Sequence, residues 1–350
     1  MADKANLVAS KAAKNDEFYT QWNDIENEIQ AYLEYNPNVF RGKTILLPCD
    51  DPDWSNFTKH FTEHFEQLGL KKLISTSYAA DGGNGKVFVL EGENEPQWGH
   101  LAGDGDFRSD EVTALRDEAD MVITNPPFSL FREFMTWLVE GGVEFSVIGN
   151  MNAITYKEIF PLIKGNEMWL GASRMGAKHF ALPSNAPVKA NQREENGVRF
   201  QKFGNIAWFT NIEHGRRHEP LSLMTMDDNL IHGSKRVRET AYPHYDNYDA
   251  IEVPETRGIP SDYPGVMGVP ISFLDKYNPE QFEIVKFRHG DDGKDLGYTQ
   301  EDGTYKTPYF RILIRHRNPE RKESRPLSRS RGGQSSLGCK RGLFHVEVRG

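Results

Sequence analysis

Ala119-Asp120-Met121-Val122-Ile123-Thr124-Asn125-Pro126-Pro127-Phe128 is an apolar run that stops on an amide, two prolines and an aromatic ring. Met121, Val122 and Ile123 suit a buried strand. The prolines cannot continue one, because each lacks an N–H and has its φ fixed by the ring. Asn125 is thereby left at the strand's carboxyl end. An isolated Asn-Pro is an ordinary turn starter, so the meaning of the quartet rests on the elements around it.

Working outward, Ile25, Ile29, Tyr32 and Leu33 recur near helical period and predict a first helix to about Tyr35. After the breaker Asn36-Pro37-Asn38, Lys43 to Pro48 reads as a buried strand that ends in an acidic turn, Cys49-Asp50-Asp51-Pro52-Asp53. Phe57, Phe61, Phe65 and Leu68 share one helical face, and Gly69 can end that helix. Strands are predicted at Lys72 to Tyr78 and Lys86 to Leu90, then a loop from Gly99 to Ser109 and a helix from Glu111 to Glu118. Beyond Phe128, the face of Phe131, Phe134, Met135 and Leu138 predicts a helix ending at Gly141-Gly142, and Glu144 to Gly149 a strand. A helix over Ala153 to Ile163, bent or ended by Pro161, and strands at Met168 to Gly171 and Ile206 to Ile212 complete the pattern. Strands alternating with helices argue for an α/β fold with a doubly wound, parallel sheet. Ligands of such sheets sit beyond the carboxyl ends of the strands. The Asp50 turn, the Asp106 loop and Asn125 to Phe128 should therefore converge.

At 350 residues the chain can hold one large domain or a core with a smaller region attached. No apolar run approaches membrane-spanning length and the polar N-terminus does not resemble a leader, so a non-secreted, cytoplasmic protein is expected. Two distant cysteines, Cys49 and Cys339, support neither a disulfide framework nor a cysteine zinc site, and no metal is expected. The net charge of −9 argues mildly against a general polyanion binder. Residues 318–350, however, hold eight Lys/Arg against three Asp/Glu, and this Ser/Arg/Gly-rich tail is expected to be disordered.

From about residue 213 the pattern becomes irregular. Arg216 and Arg217, then Lys235, Arg236 and Arg238, form short basic clusters, with Tyr242, Tyr245, Tyr248 and Tyr263 among polar loops. Such clusters suit a nucleic-acid groove, although Asp227, Asp228 and Glu239 beside them equally suit a solvated face. Gly265 to Leu274 reads as ordered core, and Phe310 to Ile314 as a closing strand.

An amino group on an aromatic base is a poor nucleophile, because its lone pair is delocalised into the ring. The Asn125 side-chain carbonyl and the peptide carbonyl preceding Pro127 could each accept one of its hydrogens. That favours a tetrahedral nitrogen with its lone pair aimed at an electrophile. Phe128 would stack on a base drawn out of its duplex. The electrophile would be a sulfonium cofactor held by the other two loops.

Asn-Pro-Pro-Phe resembles the catalytic motif of the amino-methyltransferases. Glu17-Phe18-Tyr19-Thr20 resembles their N-terminal cofactor-proximal motif, and Asp106-Phe107 the acidic-aromatic pair that meets the cofactor's adenine. The combination of Leu-Pro-Cys-Asp-Asp-Pro, Gly-Asp-Gly-Asp-Phe-Arg-Ser, Thr-Asn-Pro-Pro-Phe and Gly-Val-Met-Gly-Val-Pro-Ile is similar to the EcoRI-type adenine-specific DNA methyltransferases, over roughly residues 15–317. The resemblance implies a Rossmann-like, seven-stranded-type, mostly parallel sheet with an irregular target-recognition region. It implies a catalytic domain at 1–212 that binds S-adenosylmethionine, a DNA-recognition region at 213–317, and the tail. Asn125, Pro126, Pro127 and Phe128 would hold a flipped adenine of double-stranded DNA for methylation at N6. Phe18, Tyr19, Thr20, Pro48, Cys49, Asp50, Asp51, Asp106 and Phe107 would meet the cofactor. Arg216, Arg217, Lys235, Arg236 and Arg238 would meet DNA. A monomer suffices for a one-strand reaction, and a cognate restriction endonuclease is the protein partner to look for. Two departures stand out: the acidic turn replaces the usual Gly-rich cofactor loop, and the second strand ends in Ser77-Tyr78 rather than an acid. N4 of cytosine, an RNA base and a non-catalytic protein that shields DNA sites are the alternatives.

Overall fold

The computed structural model describes residues 20–173, 176–182 and 192–320. Phe18, Tyr19 and the tail from residue 321 lie outside the described residues. The first half of the chain runs α1 (Trp22–Tyr35), β1 (Thr44–Leu47), α2 (Asn56–Glu63), α3 (Phe65–Leu68), β2 (Lys72–Thr76), β3 (Lys86–Glu91), β4 (Gln97–His100), α4 (Asp110–Glu118), β5 (Met121–Thr124), α5 (Phe131–Gly141) and β6 (Glu144–Asn150). Then follow α6 (Phe160–Lys164), β7 (Trp169–Leu170), β8 (Gly176–Ala181), β9 (Gln192–Glu195) and β10 (Val198–Thr210).

The main sheet has the order β4-β3-β2-β1-β5-β6-β10-β7. Its centre, β2-β1-β5-β6, is parallel, with Ile45 opposite Met121 and Thr124 opposite Val147. The expected doubly wound α/β sheet is therefore present, its parallel centre flanked by antiparallel pairing toward both edges. Only residues 77–85 join β2 to β3, too few for a crossover, so the pair closes as an antiparallel hairpin. On the far side β10 runs antiparallel to both β6 and β7. The predicted loop from Gly99 begins inside a strand, since β4 pairs with β3 over Gln97–His100.

Apolar periodicity placed the helices well. Phe57, Phe61, Phe65 and Leu68 are buried as one face, although His64 divides their helix in two, and Gly69 ends it in the left-handed conformation. Phe131, Phe134, Met135 and Leu138 are buried likewise. The predicted helix over Ala153 to Ile163 is instead a 3-10 turn, Met151–Thr155, followed by the short α6. Pro161 lies in the first turn of α6, where its missing N–H is harmless, so it helps to start that helix rather than bend it.

The later residues are more regular than expected. After α7 (Met226–His232) and α8 (Lys235–Thr240), the strands β11 (Ile251–Glu252), β12 (Met267–Pro270), β13 (Phe282–Phe287) and β16 (Arg311–His316) form a sheet of order β11-β12-β16-β13, and β14 (Tyr298–Thr299) and β15 (Tyr305–Lys306) a small hairpin. One hydrophobic cluster joins Val122, Phe134, Val147 and Phe209 to Val253, Met267, Phe282 and Ile314. Tyr242 belongs to this cluster and Tyr245 to a smaller one with Ala250, Leu296 and Leu313, so both are buried and neither lines an open groove. The Tyr245 hydroxyl donates to Glu252, which is also gripped by Arg311 at 2.6 Å, a buried ion pair that satisfies its own polar atoms.

One close approach fixes the start of α5. A Cβ at Gly149, near the end of β6, would come within 2.5 Å of the Phe131 ring and 3.0 Å of Phe209. Phe131 therefore seats directly on glycine backbone, and the turn just before it is held against β6. Gly149→Ala should overpack this seat, costing about 1–3 kcal/mol and lowering the melting temperature. A thermal melt superimposable on the unsubstituted protein would contradict the packing.

Candidate active site

β1 and β5 are neighbouring parallel strands, so they end on the same edge of the sheet. Beyond β1 come Pro48, Cys49 and Asp50; beyond β5 comes Asn125. The Asp50 carboxylate is buried and accepts hydrogen bonds from Ser55 Oγ at 2.7 Å and Thr124 Oγ1 at 2.5 Å. Thr124 is the last residue of β5. The acidic turn and the Asn125 quartet are thus tied together one residue before the quartet begins.

The backbone of the turn is equally constrained. Asp50 N–H donates to the Thr76 carbonyl, and Ser75 Oγ donates to the Asp50 carbonyl at 2.6 Å. The carbonyl of Pro48, itself buried, receives Thr76 Oγ1. Helix α2 starts just beyond, and its N-cap is Ser55, whose Oγ accepts from Phe57 N–H. No acidic residue lies in its first turn, so helix-end stabilisation does not explain Asp50 or Asp51. Asp51 instead pairs with Lys86 at 2.9 Å, and Asp53 pairs with the same ammonium at 2.5 Å.

Burial raises the Asp50 carboxyl from 3.8 to about 7, even though the bonds from Thr124 and Ser55 pull it down. Burial, then Asp50 and Asp106, push the Cys49 thiol well up, so it is no nucleophile at neutral pH. The same influence shows that Asp106 belongs to this edge.

The Asp106 loop is strapped down by backbone. Gly85 N–H donates to the Gly103 carbonyl, Leu101 N–H to the Gly85 carbonyl and Ala79 N–H to the Asp104 carbonyl. Glu111 takes the N–H groups of Ala102 and Gly103. Gly105 has φ +81°, and a Cβ there would lie 2.1 Å from the Ser77 carbonyl oxygen, which explains a glycine at this position. Asp106 pairs with Arg108 at 2.6 Å; its partial burial opposes ionisation, but the bonds from Arg108 prevail and hold its pKa below the ordinary value. The Phe107 ring is buried edge-on against Phe134, with centroids 5.0 Å apart, so it anchors the loop in the core. Half-buried Tyr78 lies two residues beyond β2, and burial, then Asp104 and Asp106, raise the pKa of its hydroxyl.

In the quartet Pro126 is buried, while Asn125, Pro127 and Phe128 are half-buried. Leu130 N–H donates to the Pro127 carbonyl and closes a 3-10 turn, Phe128–Leu130, that leads into α5. Phe128 packs beside the cluster containing Phe57, Met121, Ile123 and Trp208. Thr20 is tied to the start of α2: its carbonyl accepts from Asn56, the first residue of that helix, and its buried Oγ1 has no hydrogen-bond partner among the described residues.

The basic residues fall into two groups. Arg216 pairs with Asp275 at 2.6 Å and donates to the Ala172 carbonyl, and Arg217 is buried, its guanidinium 3.6 Å from the Trp169 ring centroid and paired with Glu213. Both are occupied in bracing the interior. Lys235, Arg236 and Arg238 are exposed on α8, with Glu239 3.6 Å from Lys235. The reading from sequence missed Thr124, Ser55, Lys86 and Gly105. Thr124 and Gly105 stood inside the motifs Thr-Asn-Pro-Pro-Phe and Gly-Asp-Gly-Asp-Phe-Arg-Ser without a role of their own, and Ser55 and Lys86 are ordinary residues made important by tertiary neighbours.

A family model described as "Adenine-specific methyltransferase EcoRI" matches residues 6–97 and 84–325. The chain is 44% identical over 333 residues to the Type II methyltransferase M.EcoRI of Escherichia coli, covering 89% of this chain and 96% of the relative. It is 39% identical over 280 residues to the Type II methyltransferase M.MpnI of Mycoplasma pneumoniae, covering 79% and 83%. No solved structure matches the chain.

The raised Asp50 pKa gives a testable pH dependence. A carboxyl that binds its proton more tightly when folded contributes stability that is fully present below pH 3.8 and is lost as pH rises through about 7. Asp50→Asn removes this titration. The stability of the unsubstituted protein relative to Asp50→Asn should therefore fall between pH 5 and pH 8, measured by denaturant unfolding; parallel pH profiles would refute the assignment.

Proposed function

The chain belongs to the EcoRI family of adenine-specific methyltransferases, and from that membership we propose that it transfers a methyl group from S-adenosylmethionine to N6 of an adenine flipped out of double-stranded DNA. The observation that carries the reading is the bond between Thr124 and Asp50, which joins the quartet's strand to the acidic turn at one sheet edge. That is the edge where a doubly wound sheet takes its ligands.

The donor set around the turn suits such a cofactor. S-adenosylmethionine carries a sulfonium and an ammonium group together with an adenine. Asp50 and Asp106 offer carboxylates, Tyr78 an aromatic ring, and Thr20 a buried hydroxyl that still lacks a partner among the described residues. These residues, with Pro48, Cys49, Asp51 and the backbone beside Phe107, would hold the cofactor, joined by Phe18 and Tyr19. When bound, it supplies an electrophilic methyl group.

This chain's own contribution is to the amino group. The Asn125 amide oxygen and the Pro126 carbonyl accept its two hydrogens, which concentrates the nitrogen lone pair as the transition state is approached. The Pro127 carbonyl is already committed to Leu130, which leaves the carbonyl before it for the base. Phe128 stacks on the extruded ring and offsets part of the few kcal/mol that extrusion costs. Exposed Lys235, Arg236 and Arg238 contact phosphates, with residues 213–317 as the recognition region. The protein acts as a cytoplasmic monomer, with a cognate restriction endonuclease as its counterpart. No helix among the described residues is long and apolar enough to cross a membrane.

Incubation of unmethylated duplex DNA with methyl-labelled S-adenosylmethionine, followed by nucleoside analysis, should recover the label as N6-methyladenine. Asn125→Ala should reduce that signal by at least about 100-fold without weakening DNA binding. Label on cytosine, label only on RNA, or no label would overturn the reading.

A further inference from the structure

The longest strand, β10, does not stop with the sheet. Its residue Ile206 pairs with Asn150, the last residue of β6, so Val198 to Asn205 continue past the edge on which β1 and β5 also end. Eight residues make about 25 Å of strand. The projecting part is flanked by β8 on one side and by β9 on the other. Asn196 and Gly197, at φ +51° and +77°, form the two-residue turn that joins β9 to β10, the tightest kind of hairpin loop. At its base the ribbon packs on the face that Phe128 occupies, since Phe180 and Ile206 belong to the cluster against which Phe128 rests.

The register separates the ribbon's two faces, because directly paired residues point the same way. One face contains Gln201 and Phe180, which are 6% and 1% exposed and turn toward the protein. The other contains Val198 and its partner Glu195, Phe200 with partners Arg193 and Ala181, and Lys202 with partner His179. On this outward face Val198, Arg193, Glu195, Lys202 and His179 are exposed. Arg193 and Glu195 form an exposed pair at 3.0 Å. In a chain of net charge −9, this face carries, among the described residues, two fixed cations, a histidine and a single carboxylate around an apolar centre.

We propose that the outward face of the β9–β10 ribbon is a DNA-contacting surface, in which Arg193 and Lys202 meet phosphates while Val198 and Phe200 lie against the groove wall. The claim rests on the methyltransferase reading above and adds a contact surface to it. The face of a projecting β-sheet can lie in a groove of a duplex, and its cations complement phosphate. Because the ribbon stands on the sheet edge that holds Asn125, DNA gripped by it lies beside the catalytic quartet.

The test uses the full chain and a fluorescently labelled, mixed-sequence DNA duplex, titrated across a range of salt. Arg193→Ala/Lys202→Ala should bind at least about tenfold more weakly near physiological salt, with a salt slope shallower by about 2, one for each phosphate no longer neutralised. Glu195→Gln should bind more tightly than the unsubstituted protein, and Lys202→Arg should bind as well as it does. Binding of S-adenosylmethionine, followed by calorimetry, should be unchanged in all three. Variants with ordinary duplex affinity and salt slope would overturn the ribbon proposal and leave the methyltransferase reading intact. An unsubstituted protein that neither binds nor methylates the duplex would overturn the reading itself.

Discussion

The Thr124 hydroxyl, donated to a carboxylate inside the protein, is the contact on which the candidate site depends. A buried carboxylate is costly unless its oxygens are satisfied, and Asp50 is satisfied only when β5 and the start of α2 are both in place. The requirement works in both directions. The acidic turn fixes where β5 ends, and the bond from Thr124 holds the rotamer of Asp50. Asn125 follows Thr124 directly, so the amide inherits its position from an interaction on the other side of the peptide bond.

The same logic extends outward through backbone contacts. The Asp106 loop reaches this edge because glycines at 85 and 105 allow chain to pack on chain. The Asn125 quartet is steadied from behind by Phe131 on Gly149. Side chains at the edge are thereby pre-positioned by rigid strands, as a reaction that depends on hydrogen-bond geometry requires. The second sheet shares its hydrophobic cluster with the first, so the later residues are built onto the same frame.

Much of this was legible in the sequence, for physical reasons that can be named. Buried strands β1, β5 and β6 are apolar runs bounded by breakers, and α2 and α5 repeat aromatic residues at helical spacing, so periodicity found them. Pairing direction was less legible. Antiparallel β3 and β10 follow from loop lengths and from partners distant in sequence, which local pattern does not encode. Arg216 and Arg217 looked like phosphate ligands, yet a guanidinium over Trp169 is written only in three dimensions. Tyr242 and Tyr245 went the same way, since polar neighbours in sequence hid an apolar environment in space. The Asn196-Gly197 turn was a strong local signal left unread, and it marks the ribbon. At the candidate site, the Asn125 quartet stands out by its residue types, whereas Thr124 and Ser55 gain their meaning only from Asp50.

The coupling between the acidic turn and the quartet is tested most directly by a double-mutant cycle. Thr124→Val, Asp50→Asn and the combined variant would be compared in kcat/KM for methyl transfer to duplex DNA. If one hydrogen bond joins the two elements, the combined loss will fall well short of the product of the two single losses, a coupling on the order of 1 kcal/mol or more. Losses that simply multiply would mean that the two loops act independently, and would contradict the account.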